Sequence, residues 1–325
     1  MRPSTSLRAG PVLTRRDFLE RAALTSAVLA CSRPAAAANT MYVSLNGSVA
    51  RGVSGLDKAR LAAKVGYGGV DWDLGPAKTA GVDATKALFA ELKIRPTITN
   101  LPMARPLPFG GEPAVFQQAL TQLGDDAAFC AAIGCQKMMV VLPATSPIPK
   151  EEQRKIVRDR LAAISQVLQR SSLRLGVEFL GVQQFRMGRA DAPPPIPFIW
   201  TLPETVALAK DSGPNIGAIL DVWHWHHSGS TIADILEAGK ERIVHIHVSD
   251  AKAQPPEEVR DNQRVMPGEG VIDLVGFFQA LKKIGYDEGV SPEPLGRVPA
   301  EMSPEEGAKL ALDTTLAVMK KAGVA

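Results

Sequence analysis

The chain has 325 residues, 45% of them hydrophobic, enough to bury a large core in one α/β domain or two small ones. Its formal charge of +3 is unevenly spread: residues 1–38 hold six arginines against Asp17 and Glu20, which leaves 31 basic and 32 acidic side chains over the rest. A body so nearly neutral lacks the massed lysine and arginine that a nucleic-acid partner requires.

At the amino terminus, Thr14-Arg15-Arg16-Asp17-Phe18-Leu19 precedes a modest apolar run, Ala22–Ala30, and then Arg33-Pro34 and four alanines ending at Ala38. This order of charge, short apolar stretch and small residues resembles a twin-arginine export signal. The run is too short to span a bilayer. The expected division is a signal over 1–38, cleaved after Ala38, and one domain over 39–325 that is periplasmic or secreted, with no integral membrane segment. Val28-Leu29-Ala30-Cys31 resembles a lipoprotein box and offers the alternative of a lipid anchor at Cys31. The later cysteines, Cys130 and Cys135, have the spacing of neither a zinc knuckle nor a disulfide staple and read as buried small hydrophobes.

From residue 41 onward, short apolar runs alternate with longer stretches of helical periodicity. The predicted strands are Tyr42–Asn46, Gly69–Leu74, Arg95–Leu101, Lys137–Pro143, Arg174–Gly181, Ile216–His224, Ile243–Asp250 and Gly289–Leu295. The predicted helices between and after them are Leu56–Val65, Ala84–Leu92, Val115–Ile133, Glu151–Arg170, Pro203–Asp211, Ile232–Ala238, Leu274–Ile284 and Pro304–Ala322. Gly66, Gly134, Gly213 and Gly285 stand where left-handed helix ends are expected. Eight strand–helix pairs, with no Gly-x-Gly-x-x-Gly after the first strand, predict a closed (β/α)8 TIM barrel over an open doubly wound sheet. The proline-rich piece Ala192–Pro197 reads as a stiff loop over the barrel mouth.

Chemistry in such a barrel gathers at the carboxyl ends of the strands. There the last four predicted strands carry Glu178; Asp221 and His224; His245, His247 and Asp250; and Glu293. Carboxylates in apolar strands are costly unless paired or bound to a cation, so a shared metal ion is the economical reading. Carboxylate and imidazole donors favour Mn²⁺, Mg²⁺ or Co²⁺, with Zn²⁺ also admissible. All five histidines fall between 224 and 247; His226 and His227 read as loop residues, and His245 as either a packed residue or a direct participant. Trp223 and Trp225 are read as either sugar-stacking platforms or wall. Asp250 is left between orienting His247 or the loop and capping a turn, and Asp71, Asp73 and Asn100 between lining the pocket and supporting it.

The series Glu178, Asp221-x-x-His224, His245-x-His247, Pro267-Gly268-x-Gly270, Glu293-Pro294 resembles the xylose isomerase-like TIM barrels, within them the sugar phosphate isomerase/epimerase group that includes ketose 3-epimerases and inosose dehydratases. The resemblance implies one divalent metal held by Glu178, Asp221, His247 and Glu293. It further implies that Glu178 and Glu293 are the catalytic acid/base pair, and that His224, Arg264 and, as a stacking surface, Trp223 contact a small-molecule sugar. The implied reaction is isomerisation or epimerisation of an unphosphorylated keto-sugar or polyol, by proton abstraction beside a carbonyl through an enediolate. Keto-sugar dehydration or cleavage, and a non-catalytic sugar-binding barrel, are the alternatives. An apurinic endonuclease on the same barrel would need more histidines and a basic groove.

Overall fold

The computed structural model describes residues 40–188, 193–298 and 301–325; the expected export signal and Cys31 lie outside them. Eight parallel strands close into a barrel: β1 (Tyr42–Leu45), β2 (Gly69–Asp71), β3 (Arg95–Asn100), β4 (Lys137–Val141), β5 (Arg174–Glu178), β6 (Ile216–Asp221), β7 (Ile243–Val248) and β8 (Gly289–Pro292). Each pairs with its sequence neighbour, and β1 closes the ring against β8. Parallel neighbours need long crossovers, and helices supply them. These are α1 (Asp57–Val65), α2 (Leu74–Ala80), α3 (Val82–Leu92), α4 (Pro113–Ala132), α5 (Lys150–Gln169), α6 (Leu202–Ser212), α7 (Val222–His227), α8 (Ile232–Arg242), α9 (Leu274–Lys283) and α10 (Pro304–Lys321).

Local chemistry sets many of the boundaries. Ser303 opens α10 with a capping box to Glu306, and Pro304 fills the first turn, where its missing N–H is harmless. Gly66, Gly134 and Gly285 take the expected left-handed conformation, with φ of 103°, 88° and 76°. Gly213 does not. Its φ of 161° is extended, and it is glycine because a β-carbon there would lie 2.1 Å from Ser165 Oγ.

Two further expectations need correction. The sixth strand ends at Asp221 rather than His224, because the Asp221 carboxylate accepts the Trp223 N–H and starts α7. His226 and His227 therefore lie on that helix and not in a loop. Likewise the second strand stops at Asp71, and α2 follows before the predicted third-segment helix. Of the proline-rich piece, Ile196–Pro197 pairs antiparallel with Thr145–Ser146, beyond the carboxyl end of β4. Cys130 and Cys135 are buried and free, as their spacing suggested.

Candidate metal and substrate site

Register alone brings two candidate residues together, since Asp221 on β6 pairs directly with His247 on β7. Glu178 ends β5, and Glu293 follows β8 by one residue, its N–H still bound to the Val248 carbonyl. One donor atom from each of Glu178, Asp221, His247 and Glu293 lies within 4.8 Å of all the others. His247 Nδ1 is 2.8 Å from Glu178 Oε1 and 3.4 Å from Glu293 Oε2.

Arg264 reaches the same point from the loop after β7, and Asp250 explains how that long loop returns. Its Oδ2 accepts the N–H groups of Gly268 and Gly270, and its Oδ1 those of Ala251 and Ile272. Asp250 thus orients the loop, the reading set against a plain turn cap. A β-carbon at Gly270 would sit 2.3 Å from the Ala251 carbonyl oxygen, so the Pro-Gly-x-Gly run serves close approach. With the loop pinned, Arg264 Nη1 donates to Asp221 Oδ2 at 2.7 Å and to Glu293 Oε2 at 2.9 Å, while Nη2 donates to Asp261 Oδ1 at 2.8 Å. The sequence reading missed Asp261, although its place three residues before Arg264 is a signal. His224 Nε2 is 3.3 Å from Arg264 Nη2. Trp223 is 1% exposed, with the Arg264 guanidinium 5.6 Å from its ring centre and His227 packed edge-on, so it forms wall behind the site and offers no free face. Trp225 packs on Phe277.

The electrostatics follow from three carboxylates in a buried space. Burial pushes Asp221 up to about 7, even with Arg264 pulling it down. Burial alone would lower His247, but Glu293 and Glu178 outweigh it and hold the imidazole well above its usual range. Burial would raise Glu293; His247 and then Arg264 reverse this and bring it down to about 2. Burial and the neighbouring Arg264 keep His224 well below its usual range, hence neutral. The upward shifts of Asp221 and His247 mark a cluster with more negative donors than fixed cations, and a dication would relieve both. The donor set therefore fits a divalent metal, held by Glu178, Asp221, His247 and Glu293.

A second group, Asp71, His245 and His247, also has its donor atoms within 4.8 Å. Here the protein itself partners the Asp71 carboxylate and His245 Nε2. Ser291 Oγ donates to Asp71 Oδ1 and bonds His245 Nε2 at 2.7 Å, and Ser44 and Asn46 supply Asp71 with two more donors. His245 is a packed residue of this network.

Beside the donors is a cavity of about 290 Å³, close to the lower end of the roughly 300–1,000 Å³ usual for small-ligand pockets. Glu178, His247 and Glu293 border it, together with Asn46, Lys58, Asp71, Asp73 and Asn100 from the first three strand–helix units. Lys58 had no sequence signal, because it projects from α1 and not from a strand end.

Three comparisons bear on this arrangement. An inosose isomerase of Bacillus velezensis is 28% identical over 207 residues, which is 63% of this chain and 70% of that protein. A 3-dehydro-D-guloside 4-epimerase of Escherichia coli is 25% identical over 185 residues, 57% of this chain and 62% of that protein. Among solved structures, the IolI protein with a bound zinc atom superposes with a TM-score of 0.71 at 24% identity, covering 87% of this chain and 99% of that one, a likeness of fold. The sequence profile of the xylose isomerase-like TIM barrel family matches residues 59–318, and the chain belongs to that family.

Proposed function

We propose that the protein is a divalent-metal-dependent isomerase or epimerase of an unphosphorylated keto-sugar or keto-cyclitol. One observation carries the reading: four donors from β5 to β8 converge beside a monosaccharide-sized cavity, with Glu178 and Glu293 both on its border. A divalent ion held there would supply Lewis acidity to a ketone and its adjacent hydroxyl, which makes the hydrogen on the hydroxyl-bearing carbon acidic. Mn²⁺, Mg²⁺ and Co²⁺ suit the oxygen-rich set, and the zinc of the IolI protein adds Zn²⁺ to the metals to test.

The side chains do the rest. Glu178 and Glu293 enter from strands three places apart in the ring, so that one removes the proton and the other returns it. Return to the opposite face of the same carbon is epimerisation; return to the neighbouring carbon is isomerisation. Arg264 and His247 keep Glu293 ionised and so competent as a base, and neutral His224 is buried behind the cavity, against Arg264. Inosose isomerase and 3-dehydro-D-guloside 4-epimerase act, by their names, on keto-cyclitol and keto-glycoside substrates, which supports the substrate class. Loss of a β-oxygen substituent, as in a dehydratase, starts from the same proton removal and is the alternative outcome.

The test is incubation of the metal-analysed protein with inososes, ketohexoses and 3-keto-glycosides in deuterated water. Carbon-bound deuterium in recovered substrate or product is expected; no divalent ion and no exchange with any ketose would overturn the reading. From residues 14–38 we also infer export in the folded state. Amino-terminal sequencing of periplasmic protein should begin at Asn39, whereas a lipid-modified Cys31 would replace that reading.

A further inference from the structure

The cavity has a polar wall that plays no part in the proposed chemistry. Lys58, in the first turn of α1, is 7% exposed, and its Nζ donates to Asp73 Oδ1 at 2.8 Å. The other Asp73 oxygen accepts the Gly55 N–H at 2.9 Å, which fixes the carboxylate. Asp73 is the only side chain paired with Lys58 among the described residues, so the ammonium keeps two further donors at the cavity. Gly47 lines the cavity beside it. Asn100, whose amide makes no hydrogen bond among the described residues, lines the same cavity.

A nearly buried lysine on a pocket wall is a poor way to stabilise a barrel, because desolvation consumes most of what the ion pair returns. It is a good way to present matched groups to a ligand. The pair is neutral overall, with spare donors on Lys58 and spare lone pairs on the half-exposed Asp73. Asp71, Glu178 and Glu293 line the remainder with His247, and Lys58 is already paired with Asp73, so the wall offers an anionic ligand little uncompensated positive charge.

We propose that Lys58 and Asp73 form a specificity element that reads two adjacent hydroxyls on the non-reacting side of the substrate, selecting an uncharged polyol ring and rejecting a carboxylated or phosphorylated one. The proposal rests on the sugar-binding reading of the site and narrows its substrate class. Calorimetry on the metal-loaded, full-length protein tests it, with myo-inositol as the neutral probe and D-glucuronate as the anionic one. Wild-type protein should bind myo-inositol at least tenfold more tightly than glucuronate. Lys58→Met should weaken myo-inositol binding by about tenfold or more, the worth of a charge-assisted hydrogen bond, without tightening glucuronate. Asp73→Asn removes the counter-charge and should tighten glucuronate while weakening myo-inositol, a gain that no folding defect can mimic. A wild-type protein that binds neither probe or favours glucuronate, or an Asp73→Asn variant with an unchanged ratio, overturns the proposal. The exchange assay in deuterated water stays separate: failure there alone removes the catalytic reading, and intact exchange with an unchanged ratio removes only this wall.

Discussion

Two glutamates with unlike surroundings share one cavity, and replacing each separates charge from geometry. Glu178→Gln and Glu293→Gln keep the volume and remove the proton-carrying oxygen. Each should lower deuterium exchange by about two to four orders of magnitude, the usual worth of a positioned acid or base, and a variant with full activity would lose its assigned role. Asp221 and His247 give a prediction on acidity. Both hold protons more tightly in the fold than in the unfolded chain, Asp221 at about 7 against 3.8 and His247 well above 6.5. For such raised groups the folded state binds more protons, so the stability these two contribute without metal falls as pH rises from about 4 through 7 and beyond, while the lowered His224 and His245 contribute with the opposite sign. A divalent ion displaces those protons. The rise in melting temperature on adding Mn²⁺ or Zn²⁺ should therefore be larger at pH 8 than at pH 6, and equal shifts would show that neither group yields a proton to the metal.

Between residue and barrel, the junction of β6 and α7 bears the most function per residue. Its closeness to the end of β5 depends on Gly181, where a β-carbon would stand 1.9 Å from the His224 carbonyl oxygen. Gly181→Ala should cost about 1–3 kcal/mol by overpacking, read by denaturant unfolding, and should lower turnover by displacing His224; an unperturbed variant would show that the two segments move apart freely. The sequence hid this junction for a physical reason. Ile216–Trp225 contains only Asp221 and His224 as polar residues, so periodicity does not mark where extended backbone becomes helix; the cap made by Asp221 does. The short helix α2 was missed as well, since the second strand was read on to Leu74, where that helix begins.

Across the molecule, alternation alone was enough to predict the eight-stranded ring, because buried parallel strands are short, β-branched and separated by helices of consistent length. The four convergent donors were legible too, since a charged residue in an apolar strand stands out. The lysine wall was not, as a helix-borne residue reaches the mouth only through folding. The ring closes between β1 and β8 within the described residues. Protein lacking 1–38 is thus expected to keep the melting temperature and metal stoichiometry of the full chain; a large loss of either would give that segment a structural duty beyond export.

Asp221 ends a strand, caps a helix through the backbone of Trp223, and turns its other oxygen toward Arg264, whose guanidinium lies over that indole. An ion that claims this oxygen must loosen the guanidinium from its seat. The indole then sits in a different field, and its emission should change in colour or brightness. The protein thereby contains its own optical gauge of loading, readable by titration without any dye.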